Sequence, residues 1–309
     1  MITVVLPAYN EEENIAPAAK AVGDVLKGCG EEYEILFVSD GSSDGTFDKV
    51  REIHAKDPNV TGVEFSRNFG KEAAIFAGLS AAKGDAVIVM DCDLQHPPAV
   101  IPEMVEKWRA GAEVVEGVKS SRGKESLWYK LSAGLFYKIM SGLIHMDMNA
   151  SSDFKLLDRK VVDTLLTLPE RNTFFRALSF WVGFRTEKVF YEVQERTLGK
   201  SKWSTRKLIA YAIRNATSFS TLPLQVVTFM GWVFLVFSLI LGIQTLVRYL
   251  LGQSVEGFTT VILLILVVGG FLMLSLGIIG HYIARIYEEV KGRPRYIIRR
   301  TTDEERKNG

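Results

Sequence analysis

Ala86-Val87-Ile88-Val89-Met90-Asp91-Cys92-Asp93-Leu94-Gln95-His96 runs from five apolar residues straight into two carboxylates one residue apart. A run with no polar alternation needs cover on both faces, which marks it as a central strand of a parallel sheet. Outward from it, short β-branched runs alternate with longer amphipathic stretches. Strands are expected at Ile2 to Leu6, Glu34 to Val38, Val60 to Phe65, Ala86 to Met90 and Glu113 to Gly117. Helices are expected at about Glu12 to Leu26, Asp44 to Ala55, Lys71 to Ala82 and Ala99 to Ala110. This is an α/β pattern, a mainly parallel sheet with helices on both faces. In such sheets the ligand crevice lies beyond the carboxyl ends of the strands. The polar residues are there: Pro7-Ala8-Tyr9-Asn10-Glu11 after the first strand, Ser39-Asp40-Gly41-Ser42-Ser43-Asp44-Gly45 after the second, and Asp91 to His96 after the fourth.

No Gly-x-Gly-x-x-Gly or Gly-x-x-x-x-Gly-Lys follows any strand, so a diphosphate would have to be neutralised by means other than a glycine-rich backbone cradle. Asp91 and Asp93 can present two carboxylates to a hard cation, with the Gln95 amide oxygen as a third ligand and water or phosphate completing an octahedron. An isolated Asp-x-Asp more often caps the following helix; the position of this one, at the end of a central strand, favours the ligand reading. Asp40 has two readings, as a crevice residue and as a turn former ahead of the cap residue Asp44. Cys92, between the carboxylates, is expected to face the sheet as a small hydrophobe.

Charge is distributed unevenly. The 309 residues include 37 basic and 36 acidic side chains and 48% apolar residues, with a mean hydropathy of +0.13. From Asn215 to Ala284, about 70 residues, only Arg248 and Glu256 carry a formal charge. A purely soluble protein is excluded. Arg214 and Arg248 bound an uncharged stretch of about 33 residues, and Glu256 and Arg285 one of about 28, each longer than the roughly 20 that cross a bilayer core. Two transmembrane helices are expected, at 222–251 and 259–286, between a catalytic domain at 1–200 and a basic tail at 287–309. Lys200, Lys202, Arg206, Lys207 and Arg214 precede the first span, and Arg285, Lys291, Arg293, Arg295, Arg299 and Arg300 follow the second. Positive charge stays inside, so the catalytic domain and both termini are expected in the cytoplasm. The chain starts on a strand-like run with no leader pattern, in keeping with that side. Residues 201–221 carry Leu208, Ile209, Ala212, Ile213, Ala216 and Phe219 on one helical face and Arg206, Lys207 and Arg214 on the other, fitting a helix in the headgroup layer. A helix packed on the soluble domain would show the same pattern. Balanced charge and the absence of a reading motif argue against a nucleic-acid partner. Cys29 and Cys92 match neither a disulfide framework nor a zinc spacing.

Val4-Val5-Leu6-Pro7-Ala8-Tyr9-Asn10-Glu11-Glu12, Ser39-Asp40-Gly41-Ser42-Ser43-Asp44-Gly45-Thr46 and Met90-Asp91-Cys92-Asp93-Leu94-Gln95-His96-Pro97-Pro98 resemble, in order and spacing, glycosyltransferase family 2 enzymes of the Rossmann-like GT-A fold. More narrowly, the chain is similar to polyprenyl-phosphate glycosyltransferases, the group of dolichol-phosphate mannose synthase and bacterial undecaprenyl-phosphate glucosyltransferases. Ser66-Arg67-Asn68-Phe69-Gly70-Lys71, Ser152-Asp153-Phe154-Lys155-Leu156-Leu157-Asp158-Arg159, Glu195-Arg196 with Gly199-Lys200-Ser201-Lys202, and Tyr287 to Pro294 extend the likeness over nearly the whole chain.

The resemblance implies that Pro7, Tyr9, Glu11 and Asp40 hold the nucleotide base and ribose, that Asp91, Asp93 and Gln95 hold Mg2+ or Mn2+ against the diphosphate, and that Asp153 is catalytic. Asp153 also fits a buried polar group that fixes the neighbouring strand. Ser39 departs from the pattern, since many relatives carry aspartate there. The implied reaction is inverting transfer of a hexose from a nucleotide sugar to a polyprenyl phosphate at the membrane, for cell-envelope glycosylation. An acceptor phosphate, with a second pKa of about 6, needs cationic positioning more than a strong base. Arg122, Arg196, Lys200 and Lys202 are the candidates, because they lie in loop-like segments and the last three precede the membrane. Each also fits a solvated or headgroup contact. Arg171-Asn172, Phe174-Phe175 and Trp181-Val182-Gly183-Phe184 look more like the glucosyl group, making UDP-glucose the expected donor, with GDP-mannose or a modified UDP-sugar as the alternative. A homo-oligomer and a separate downstream flippase are also implied. Two other classes stand beside this one: a non-catalytic membrane-anchored binding protein, and a processive polysaccharide synthase, which would need more spans than two.

Overall fold

Strand β1 (Ile2–Ala8) is buried along its whole length and sends its side chains into two layers. Ile2, Val4 and Leu6 join Ile15, Val22 and Leu26 of α1 (Glu12–Gly28) and Met104 and Val105 of α4 (Ile101–Arg109) in one apolar cluster. Val5 faces the other way, onto α3 (Lys71–Ala81), so closely that a Cβ on Gly78 would lie 2.1 Å from its Cγ1. This alternation, with period two along a strand buried on both sides, is what the apolar runs require.

The computed structural model describes residues 1–119, 152–170, 174–192, 222–252 and 257–303. They form two compact units, 1–205 with 293–309, and 206–292. In the first, β2 (Tyr33–Ser39), α2 (Thr46–His54), β3 (Val60–Phe65), β4 (Ala86–Val89), β5 (Val114–Lys119), β6 (Lys155–Asp158), α5 (Arg159–Thr167), α6 (Phe175–Trp181), β7 (Thr186–Tyr191) and β8 (Ile298–Thr301) complete the chain path. The described strands make one sheet in the order β7-β5-β6-β4-β1-β2-β3-β8. β1 pairs in parallel with both β2 and β4. The chain therefore builds outward through β2 and β3 and then returns to β4 on the other side of β1. That reversal opens the crevice between the carboxyl ends of β1 and β4.

Three strands, β6, β7 and β8, are absent from the sequence reading; β6 and β8 run antiparallel to their neighbours and β7 runs parallel to β5. Lys-Leu-Leu-Asp in β6 is too short to display a period. Ile298-Arg299-Arg300-Thr301 reads as part of a basic tail, yet Arg300 pairs with Glu64 of β3 at 2.7 Å and Thr302 Oγ1 accepts from the Gly62 amide at 3.0 Å. A solvated cationic run and an edge strand anchored by one carboxylate look alike in sequence.

In the second unit, α7 (Leu222–Leu250) and α8 (Phe258–Val290) are two helices long and apolar enough to cross a membrane. Each contains a 27-residue candidate span, Leu224–Leu250 and Leu264–Val290, about 40 Å at 1.5 Å per residue against a core of about 30 Å, with Arg248 near the end of the first and Arg285, Glu288 and Glu289 in the last turns of the second. They touch through Phe234 and Phe271, whose rings are 4.9 Å apart. Most of their large side chains, such as Trp232 at 64%, are exposed, an apolar surface far beyond what water tolerates. The amphipathic segment 201–221 lies outside the described residues.

Candidate active site

The loops after β1, β2 and β3 are locked to one another by polar contacts. Asn10, at φ +54°, turns the chain out of β1 and accepts from the Ser43 amide at 2.8 Å, while its own amide donates to Ser42 Oγ at 3.1 Å. The Glu11 amide donates to Thr46 Oγ1 at 3.0 Å. Asp40 is buried, and its carboxylate accepts from the amides of Phe69 at 2.6 Å and Gly70 at 2.9 Å. Burial pushes this carboxyl above its ordinary value, although both amides favour the charged form. Gly41, at φ +62°, admits the close approach of Arg67, whose carbonyl carbon would lie 2.2 Å from a Cβ there. Asp40 thus clamps the loop before α3. Pro7 is buried in β1, Tyr9 is 45% exposed at its end, and Glu11 accepts from Asn14 Nδ2 at 2.5 Å. These are the four expected nucleotide residues, and they lie at or just beyond the carboxyl ends of β1 and β2.

β4 ends one residue before Met90, and Asp91 and Asp93 follow. Cys92 between them is buried in the core, its thiol raised well above the usual range by burial, as the small-hydrophobe reading expects. Asp93 Oδ1 accepts from the Gln95 amide at 3.1 Å, and Leu94 sits at φ +58°, so the turn is tight and keeps Asp93 beside Gln95. The donor set is two carboxylates and one amide, all hard oxygen, which suits Mg2+ or Mn2+. Among the described residues no group of three or more His, Cys, Asp and Glu side chains converges into a cage, so a cation here would need water or phosphate oxygens to complete its shell.

Asp153 heads β6. The segment is fixed from beneath by a buried ion pair, Glu116 to Lys155 at 3.0 Å, and Glu116 also accepts from the Ser152 amide at 3.2 Å. The Asp153 carboxylate is almost completely buried, yet it accepts from Arg176 Nε at 2.6 Å and Nη2 at 2.9 Å and from Lys71 Nζ at 2.8 Å. Burial opposes its ionisation, but Lys71 and Arg176 overcome that and hold the carboxyl well below the usual range. Lys71 also reaches Asp91 Oδ1 at 2.6 Å, linking the expected metal ligand to the expected catalytic residue. Burial presses the Lys71 ammonium down, and Asp153 and Asp91 together raise it above an ordinary lysine. The Asp91 carboxyl, despite burial, is lowered by Lys71.

Lys71, Arg176, Glu72 and His96 have no role assigned by the sequence reading. Glu72 accepts from the Phe175 amide at 2.8 Å, tying α3 to the helix that carries Arg176. Burial and then Asp153 raise its carboxyl to about 7. His96 is buried, stacked on Phe154 at 5.2 Å and edge-on to Tyr191 at 5.8 Å; its Nδ1 finds no partner among the described residues. Burial lowers its pKa and keeps the ring neutral. Among these four, Lys71 and His96 stand inside quoted motifs and Glu72 and Arg176 directly beside quoted residues, which is the signal the sequence offers for them. Arg122, Arg196, Lys200 and Lys202 lie outside the described residues, as do Arg171 and Asn172.

Residues 3–166, more than half of the chain, match the family described as glycosyl transferase family 2. The chain belongs to that family. Over 302 residues it is 40% identical to the SfII prophage-derived bactoprenol glucosyl transferase of Shigella flexneri, covering 97% of this chain and 98% of that one. It is 38% identical over 305 residues to the uncharacterized glycosyltransferase YkcC of Bacillus subtilis (strain 168), covering 97% and 93%. The prophage bactoprenol glucosyl transferase homolog of Escherichia coli (strain K12) is 39% identical over 301 residues, covering 97% and 98%. Among solved structures, glucosyl-3-phosphoglycerate synthase from Mycobacterium tuberculosis, in complex with Mn2+, uridine diphosphate and glucosyl-3-phosphoglycerate, shares the fold with a TM-score of 0.53 at 20% identity, over 70% of this chain and 77% of that one. The glycosyltransferase carries the GT-A-like α/β fold.

Proposed function

We propose that this glycosyltransferase moves glucose from UDP-glucose to undecaprenyl phosphate and leaves a lipid-linked monosaccharide with inverted configuration. One observation carries the reading: the 40% identity to a bactoprenol glucosyl transferase runs through 97% of the chain, so it includes the apolar helices as well as the site. A lipid acceptor explains why a sugar-nucleotide fold is joined to two helices of bilayer length.

In this reading Pro7, Tyr9, Glu11 and Asp40 line the nucleotide pocket, with the Asp40 clamp fixing its floor. Asp91, Asp93 and Gln95 hold a divalent cation, which supplies Lewis-acid stabilisation of the leaving diphosphate when bound. Complexes of the mycobacterial synthase with Mn2+ or Mg2+ and uridine diphosphate support a cation of this type. Asp153 is too strongly held by its two cations to be a general base near neutral pH. The acceptor phosphate does not require one, being largely ionised already. Asp153 instead orients Arg176 and Lys71 at the crevice, while Arg122, Arg196, Lys200 and Lys202 receive the acceptor phosphate. Both termini and the catalytic unit face the cytoplasm, the protein assembles as a homo-oligomer, and a flippase carries the product across.

Purified full-length protein offered undecaprenyl phosphate and a panel of UDP- and GDP-sugars tests the donor and the acceptor together. UDP-glucose should give a lipid-linked monosaccharide. Preference for a GDP-sugar would overturn the donor, polymer would indicate a processive synthase, and no product with any donor would favour a binding protein.

A further inference from the structure

Lys71 touches both halves of the site. Its ammonium lies 2.6 Å from Asp91 Oδ1 and 2.8 Å from Asp153 Oδ2, on a side chain that is 41% exposed. It is the first residue of α3. A helix start carries the positive end of the macrodipole and disfavours a cation, so the helix gains nothing from lysine here. The next residue, Glu72, is the type that end prefers. Arg176 already satisfies Asp153 with two nitrogens in a planar fork, so Lys71 is not needed to keep that carboxylate paired. What Lys71 adds is a charge on Asp91. Lys71 and Arg176 set two positive charges against the carboxylates of Asp91 and Asp153, and a divalent ion entering would meet an ammonium on one of its own ligands.

We propose that Lys71 is a displaceable counter-cation of the metal site, holding Asp91 until a divalent cation takes that oxygen and then remaining on Asp153 alone. The proposal rests on the reading of Asp91 as a metal ligand. It makes metal affinity a competition between an intramolecular ammonium, flexible on four methylenes, and the incoming ion with its phosphate ligands. The same contact pairs the Asp91 carboxylate whenever no cation holds it.

The test is a titration of full-length protein in detergent with Mn2+ in the presence of UDP, followed by the paramagnetic resonance of free Mn2+, for wild type, Lys71→Met, Asp91→Asn and the double variant. Lys71→Met should bind Mn2+ about tenfold more tightly than wild type, the scale of one charge-assisted contact. Asp91→Asn should weaken binding, and in that background Lys71→Met should give no gain, because the contact that competes is already gone. Unchanged or weaker affinity in a folded Lys71→Met or Lys71→Gln protein overturns the proposal. An equal gain in both backgrounds also overturns it, showing a general field effect instead of displacement. Wild-type affinity in Asp91→Asn overturns the underlying assignment of Asp91, a result distinct from the other two.

Discussion

Arg176 grips Asp153 in a fork, with Nε 2.6 Å from Oδ1 and Nη2 2.9 Å from Oδ2. The geometry needs a planar guanidinium, and it aims the arginine from α6 at the carboxylate two residues ahead of β6. Arg176→Lys keeps the charge and loses one of the two bonds, each worth about 1.5 to 3 kcal/mol when charged. It should lower kcat by roughly tenfold or more and, because the lost bond is already made in the free protein, also lower the melting temperature by a few degrees. An unaltered kcat would remove the fork from the reaction.

Glu72 gives the site a pH signature. Its carboxyl stands at about 7 in the fold against 4.5 when free, so the folded state favours the protonated form. The cost of ionising it is absent below the free value and complete above about 7. Wild type should therefore lose stability relative to Glu72→Gln as pH rises from 5 to 7.5, by up to about 2 kcal/mol after allowing for solvent screening. Denaturant unfolding of the two proteins across that range reads the difference, and a gap that does not change with pH would contradict the raised carboxyl.

Gly41 is the point where the Asp40 turn meets Arg67. Alanine there would put a Cβ 2.2 Å from backbone carbon and would have to adopt φ +62°, at a cost of about 1 kcal/mol for the dihedral alone. Gly41→Ala should loosen the Phe69 and Gly70 clamp and raise the KM for nucleotide sugar more than that for lipid. Equal effects on both substrates would mean general damage.

The parallel core was legible because Val87 to Met90 and Ile2 to Leu6 leave only one way to bury both faces, and the crevice residues followed from the strand ends. β6, β7 and β8 were not: Lys155 to Asp158 is short and flanked by charge, Thr186 to Tyr191 opens on exposed polar residues, and Arg299-Arg300 looks solvated until Glu64 is seen beside it. Asp91 and Asp153 could be picked out from the motifs they stand in. Their joint contact with Lys71, across 20 and 82 residues of chain, is tertiary information that no local pattern contains.

The proposed orientation rests on the basic residues on the outer sides of α7 and α8 in the sequence. In a background without Cys29 and Cys92, single cysteines at Ser254 and Thr301 should react differently with a membrane-impermeant thiol reagent on intact cells. Ser254→Cys should label and Thr301→Cys should not. The reverse pattern would place the catalytic unit away from cytosolic sugar nucleotides.

The most direct test of the central claim is transfer of labelled glucose from UDP-glucose to undecaprenyl phosphate by purified full-length protein, with Mg2+ or with EDTA, comparing wild type and Asp93→Asn. Loss of one carboxylate from a site of two should cost several kcal/mol of leaving-group stabilisation. The account predicts a labelled lipid-linked monosaccharide from wild type with metal, and almost none with EDTA or from a folded Asp93→Asn protein. Equal transfer by Asp93→Asn in saturating Mg2+, or transfer that EDTA leaves untouched, would contradict it.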